Sequence, residues 1–464
     1  MVEYKYYIRV GISKNAGKDG RRMRKALAVF LLLLTMVHMC GCGLMPPETL
    51  YTLPKISADY EILQGMLNTI LDSGAVYSAP TAGSNRQTVQ MEDLDSDGEK
   101  EVLAFFNFPG DDKPLKIYIF RSNDGVYEQA AVIEGEGSSF ENISYVDMDG
   151  DGISEVVVGR QISADLKMLS IYSIRDYQIS QIVASDYMRY AAAHLRSDTR
   201  TDVLVLRKPT AEADGEAEMF SLDSNGDISS SVARMTSGVE TISRVRVGLL
   251  SNGTTGIYVE SVIDGSSLVT DIFTYNRTLT NITNQSTGDK PNDTVRTVNL
   301  YCQDIDNDGV LEVPSPVAVL NADGSSYWQI RWDAYSSSGR KSHVMTTYHN
   351  TSDGWYFILP EAWEEEVGIR RLDAVSGERT IVLSYYDGET ETNIDFLKIY
   401  ALSGSNREAK AILTGRFPLK NTGDVVYAAE ILEDVSAYGI VVTEESVKSS
   451  FNVIYSEWET GESS

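Results

Sequence analysis

Only three cysteines occur in the 464 residues, Cys40, Cys42 and Cys302, and two of them fall together near the N-terminus. The body of the chain therefore has no disulfide framework to hold it together. Histidine is limited to His38, His194, His343 and His349. None of these forms the helical i, i+4 pair of a zinc hydrolase, and the sequence has no G-x-S-x-G elbow or nucleotide-binding glycine loop. Positive charge is in deficit: 40 Lys and Arg stand against 67 Asp and Glu, for a net charge of −27. Phosphate backbones need clustered basic residues, so nucleic acid is not an expected partner. The one long apolar run, Ala26 to Val37, is short for a bilayer crossing.

The sequence does have 42% hydrophobic residues and 26 tyrosines, enough for a sizeable core and a bias toward β structure. The apolar run follows Arg21, Arg22, Arg24 and Lys25 and so reads as a secretion signal. It ends in Met39-Cys40-Gly41-Cys42-Gly43, which resembles a bacterial lipobox. In a lipobox a small residue precedes a cysteine that is lipidated and becomes the mature N-terminus. Cys42, after Gly41, fits that role better than Cys40, after Met39. A transmembrane anchor or an ordinary cleaved signal is the competing reading, although no A-x-A-like site follows the run. Met23 opens a complete signal by itself, so residues 1 to 22 read as an over-extended start. Eight basic and two acidic residues precede Cys42, so cleavage there makes the exported chain six charges more acidic. A diacyl anchor would hold it at the extracytoplasmic face of the cell membrane.

Three segments share one pattern, D-x-D-x-D-G-x-x-E followed by a β-type apolar run. They begin at Asp93, Asp147 and Asp304. Fainter copies begin at His194, Gly248, Leu372 and Ile431, giving start-to-start spacings of 54, 47, 54, 56, 68 and 59 residues. Such spacing suits one four-stranded blade per repeat. The expected fold is all-β, a seven-bladed β-propeller with one N-terminal amphipathic helix. The expected domains are an extension and lipoprotein signal over 1–41, a linker over 42–56, a helix over 57–74 and the propeller over 75–464. The seventh copy runs out about three strands in, and Ala75 to Ser78 is the candidate for its missing outer strand.

Calcium takes six to eight oxygens, and a short loop supplies them when carboxylates alternate along it and a glycine allows a sharp bend. The expected side-chain donors are Asp93, Asp95, Asp97 and Glu101 in the first loop, Asp147, Asp149, Asp151 and Glu155 in the second, and Asp304, Asp306, Asp308 and Glu312 in the third. Glu99, Ile153 and Val310 would add backbone carbonyls. The last acid falls at position 9 and a strand follows, unlike the helix-flanked EF-hand with its Glu at position 12. Four crowded carboxylates repel one another unless a cation lies among them. About three calcium ions are expected, with a solvated acidic turn as the bland alternative. In the third copy Arg196 stands where an acid belongs, and its charge could replace the cation.

These residues resemble the FG-GAP/VCBS repeats of integrin α propellers and of many bacterial surface proteins. The resemblance implies a propeller with calcium in its strand-connecting loops, and a role in adhesion or ligand binding. The expected function is a non-catalytic scaffold for an unidentified surface protein or glycan. A propeller hydrolase or lyase acting on an extracellular polysaccharide is the alternative. The loops Thr210 to Glu218 and Ser286 to Asp293 are candidates for recognition. The acidic run Glu364 to Glu366 reads as a solvated face and Cys302 as a buried structural thiol. Trp328, Trp332, Trp355 and Trp363 read as core in preference to a sugar platform.

Overall fold

The computed structural model describes residues 58–454 apart from 124, 197–198, 208, 211–212, 285–291, 322, 365 and 388–391. The signal, the lipobox with Cys42, the linker up to residue 56 and His38 lie outside the described residues. The chain divides into two compact units, Met1–Gln64 and Gly65–Ser464. A 15-residue helix, Ala58–Asp72, runs across that division. No described helix is long and apolar enough to cross a membrane.

The larger unit is all-β. Among the described residues, six antiparallel sheets follow one another along the chain. The first contains Val89–Glu92, Glu101–Asn107, Leu115–Asn123 and Val126–Gly135, with the short strand Val76–Tyr77 beside Glu101–Asn107. The second contains Ser139–Val146, Glu155–Ser163, Leu166–Ser173 and Ser180–Asp186, and the third Arg189–Ala193, Asp202–Arg207, Glu216–Leu222 and Ile228–Arg234. The fourth contains Val239–Leu249, Thr255–Ile263, Ser267–Asn276 and Thr278–Asn281. The fifth runs from Glu312–Leu320 through Ser326–Tyr335 and Lys341–Asn350 to Trp355–Leu359. The sixth is built on Val367–Val375, Glu378–Asp387, Thr392–Leu402 and Val426–Ile431, with Arg416–Asn421 at its edge.

Burial explains the strand sequences. The second strand of the first sheet, Glu101–Asn107, is buried from Glu101 through Phe106, because other sheet elements or side chains cover both of its faces. It therefore reads as a continuous apolar run and not as an alternation. The outermost strand of the third sheet, Ile228–Arg234, has no buried residue and reads Ser-Ser-Ser at its centre. Between sheets, the cores are shared in chain order. Phe105 of the first packs edge to face on Phe140 of the second at 5.3 Å. Val157 of the second clusters with Val203 of the third, Leu204 of the third with Val259 of the fourth, and Tyr258 of the fourth with Val313 of the fifth. Phe357 of the fifth clusters with Phe396 of the sixth. This succession of meanders, each packed on the next, is a propeller-like arrangement of sheets.

The expected count of seven sheets is corrected to six among the described residues. The seventh copy is read from Ile440-Val-Val442, which forms no strand. Ile440 is buried and Val442 packs against the same core, while Val441 between them is 64% exposed, yet no strand among the described residues pairs with the segment. Thr443 then caps a helix, Glu444–Ser450, through a reciprocal capping box with Ser446, and that ends any extended run. The following strand, Phe451–Val453, joins the fifth sheet beside Trp355–Phe357. The strand Val76–Tyr77 likewise pairs with Phe106 and Asn107 inside the first sheet and supplies no seventh. The sixth copy keeps its strands but has no metal-type loop, because Ser376 and Gly377 close Val367–Val375 onto Glu378–Asp387 as a tight hairpin.

Trp332, Trp355 and Trp363 are buried, and Trp328 is half exposed. Cys302 is fully buried, its sulfur 3.6 Å from the Thr270 hydroxyl, and burial pushes its thiol pKa up.

Candidate metal centres

The three acidic loops share one hydrogen-bond pattern; the first two join the first and second strands of their sheets, and the third leads into Glu312–Leu320, the first strand of the fifth sheet. In each, the acid at position 9 opens the strand that follows the loop. It pairs across the ladder with the residue before position 1: Glu92 with Glu101, Val146 with Glu155, Gln303 with Glu312. Its Oε2 accepts the backbone N–H of position 2, from Leu94 at 2.8 Å, Met148 at 3.0 Å and Ile305 at 3.0 Å. The side chains of those position-2 residues are buried and pin the loop to the core. The position-1 carboxylate accepts the N–H of the position-6 glycine, at 3.1 Å for Asp93 and Gly98 and at 3.0 Å for Asp147–Gly152 and Asp304–Gly309. Those glycines sit at φ of 92°, 89° and 89°, where a Cβ would be strained. Position 5 accepts from position 7: Asp97 from Glu99, Asp151 from Ile153 and Asp308 from Val310.

This folding draws the acids together. Oxygens of Asp93, Asp95 and Glu101 lie within 4.8 Å of one another, as do those of Asp147, Asp149 and Glu155 and those of Asp304, Asp306 and Asp308. Asp97, Asp151 and Glu312 fall outside these trios. Asp151 turns its Oδ2 to Arg175 at 2.7 Å, and Glu312 points its Oε2 at Ile305. The donor set is all oxygen, which suits a hard cation. Moreover, Asp93 Oδ1, Asp95 Oδ1 and Glu312 Oε1 are buried with no hydrogen-bond partner in the structure. Buried acceptors are rarely left in this state, and a cation would satisfy them.

Residues 74–158 match the family model of the FG-GAP-like repeat. This stretch is similar to an FG-GAP-like repeat. It contains the first two acidic loops and the whole of the first sheet. No curated protein matches the chain. Among solved structures, a candidate 6-phosphogluconolactonase of Bacteroides fragilis NCTC 9343 aligns at 12% identity over 76% of this chain and 94% of its own, with a TM-score of 0.24. Another, from Bacteroides uniformis ATCC 8492, aligns at 10% identity over 75% and 94%, also at 0.24. Scores this low carry no argument about fold or activity.

The lapsed copies show what stands in the loop where the acids are lost. In the third copy, Asp202 occupies position 9, is wholly buried and pairs with Ala193 as the acids of the FG-GAP-like loops pair with their neighbours. Arg196, at position 3, brings its Nε to 2.7 Å from Asp202 Oδ1, so a protein cation stands among the loop's oxygens. His194, at position 1, turns its Nδ1 toward the Arg200 carbonyl at 3.0 Å. In the fourth copy no acid remains. Leu250 is buried, and the Tyr258 hydroxyl donates to the Leu249 and Leu311 carbonyls. Arg175 and Tyr177 were not legible as site residues. They lie on a connection far from the repeat frame, yet Arg175 pairs with Asp149 and Asp151, and Tyr177 donates to Asp95 and Glu101.

His343 and His349 share no site. His343 lies 3.7 Å from Asp333 and 3.5 Å from Glu364. His349 is stacked on Tyr356 in the core, where burial pushes its pKa down to about 3.

The loop acids carry a pH signature. Burial first, and the neighbouring aspartates second, push Glu155 and Glu312 up from their ordinary 4.5 to about 7. A carboxyl whose folded pKa is raised favours the folded state while it is protonated. That contribution is complete below about pH 4.5 and is lost as pH rises through about 7. In chelator, the thermal unfolding midpoint should therefore fall between about pH 5 and about pH 8, and excess divalent cation should reverse the trend. A midpoint that climbs over this window in chelator contradicts the assignment.

Proposed function

We propose that the chain is a lipid-anchored, calcium-binding propeller on the outer face of a bacterial membrane, and that it acts as a non-catalytic scaffold for a surface protein or glycan. The six sheets serve as its blades. The observation that carries the reading is the set of three loops with one hydrogen-bond pattern, two of which, the first and the third, hold buried, unpartnered carboxylate oxygens. Their all-oxygen donors favour calcium over softer metals. Calcium there reinforces a scaffold that the other sheets reach without metal, the third through the Arg196–Asp202 ion pair.

The strand topology supports a separate recognition face. The first, the second and the lapsed third copy's loops join first to second strands, so the connections from second to third strands lie at the opposite end of those sheets. A cavity of about 440 Å³ opens among those opposite connections, lined by Lys167, Asp186, Tyr187, Arg189, Thr210 and Ile242 among others. Its mixture of charged, hydroxyl and apolar groups suits a polar ligand such as a glycan or a peptide loop. Thr210 belongs to one of the loops expected to recognise a partner. Residues 286–291 of the other loop lie outside the described residues.

Anchoring is tested by growing cells that express the full chain with a clickable fatty-acid analogue. The chain should take up label and sediment with membranes, and Cys42→Ala should lose both properties. Label and sedimentation that persist in Cys42→Ala contradict the anchor.

A further inference from the structure

The turn Arg175–Tyr177 connects the third and fourth strands of the second sheet, at the same end as the metal loops. Its two long side chains diverge. The Arg175 guanidinium pairs with Asp149, whose carboxylate is 1% exposed, and lies 2.7 Å from Asp151 Oδ2. The Tyr177 hydroxyl donates to Asp95 Oδ2 at 3.1 Å and to Glu101 Oε1 at 3.0 Å. One three-residue turn thus holds acids of both the first and the second loop. The loops also touch directly, through a 2.7 Å bond from the Ser96 hydroxyl to the Gly152 carbonyl.

The turn is short and stiff. Ile174, buried in the core shared by the first two sheets, anchors its start. Tyr177 and Gln178 donate backbone N–H groups to Ile174 and Arg175. Asp176 and Tyr177 both take left-handed φ, 50° and 57°, which non-glycine residues adopt only when their surroundings hold them there. A cavity of about 390 Å³ lies beside the turn, bounded by Asp95, Asp97, Arg121, Ile153, Asp176 and Tyr177 among others. The phenol ring therefore has room to swing away from the first loop. The third loop has no such partner: among the described residues, no basic side chain pairs with Asp304, Asp306 or Asp308.

We propose that the first and second loops take up calcium cooperatively, because Arg175 and Tyr177, two residues apart on one turn, hold carboxylates of both loops and must release them together. The third loop binds independently. This rests on the calcium reading of the loops. Calcium entering the second loop competes with the Arg175 guanidinium for Asp149 and Asp151. As Arg175 withdraws, the turn carries Tyr177 off Asp95 and Glu101, and the first loop's oxygens become available. By reciprocity, filling the first loop eases Arg175 out of the second.

The experiment is calorimetric titration of calcium into the chelator-treated, dialysed full chain, alone and with the third loop disabled by Asp304→Asn and Asp308→Asn. With the third loop disabled, the remaining pair should titrate with a Hill coefficient well above one. Arg175→Gln and Tyr177→Phe should each tighten binding at one loop by about fivefold or more and return the pair to independent behaviour. Titrated without the loop-three substitutions, Arg175→Gln should leave the third site within about twofold of its starting affinity. Two ions that bind independently before any change at the turn, or an Arg175→Gln effect confined to one loop with cooperativity unchanged, overturn the coupling and leave the calcium reading intact. A chain that takes up no calcium overturns both.

Discussion

Stripping calcium from the full chain should lower its unfolding midpoint by about 10 °C relative to millimolar calcium. A ligand that binds only the folded state at about a hundred times its dissociation constant adds about 2.7 kcal/mol, so three loops add about 8 kcal/mol. For a unit of this size the unfolding entropy converts each kcal/mol into about 1 °C. The physical source is the crowding of the loop acids. Glu155 and Glu312 are buried beside three aspartates each, so without a cation their ionised forms are held against both desolvation and repulsion. Calorimetric scans in calcium and in chelator check the expectation. Matching midpoints at neutral pH would mean that these segments are acidic turns and nothing more.

The second large effect lies in the third copy, where no metal is expected. Arg196→Met should destabilise the chain by about 3–5 kcal/mol, because it leaves the wholly buried Asp202 without its counter-charge. The loss should be the same in calcium and in chelator. Adding Asp202→Leu should recover much of it, since removing both charges also removes the desolvation burden. Urea unfolding of the two variants checks this. A loss below about 1 kcal/mol, or one that calcium abolishes, would mean that the guanidinium does not replace the cation.

Much of this architecture was legible because its parts are local. The strands of the first repeat follow from apolar runs separated by acidic and glycine-rich turns: the runs Thr88 to Met91, Val102 to Asn107 and Leu115 to Arg121 agree with the strands Val89–Glu92, Glu101–Asn107 and Leu115–Asn123 to within two residues. The acidic loops were legible because their donors lie within nine residues of one another, and the Arg196 exchange because it occurs inside the same frame. The sheet count was not. Ile440-Val-Val442 has the composition of a strand, but the capping box from Thr443 to Ser446 turns the chain into a helix directly after it, and no strand among the described residues pairs with it. Nor could Arg175 and Tyr177 be found, since their partners are 26 and 82 residues away: the second sheet's own meander brings Arg175 to Asp149, and the packing of that sheet on the first brings Tyr177 to Asp95. Asp353 shows the same limit: its ion pair with Arg379 joins the fifth sheet to the sixth with no motif to announce it.

The central claim is that the three loops are metal sites, and metal content by mass spectrometry on the gel-filtered full chain, equilibrated in calcium, tests it most directly. About three calcium ions per chain are expected, with one fewer when Asp304→Asn and Asp308→Asn disable the third loop. A chain that holds no calcium, or a count that these substitutions leave unchanged, would contradict the claim.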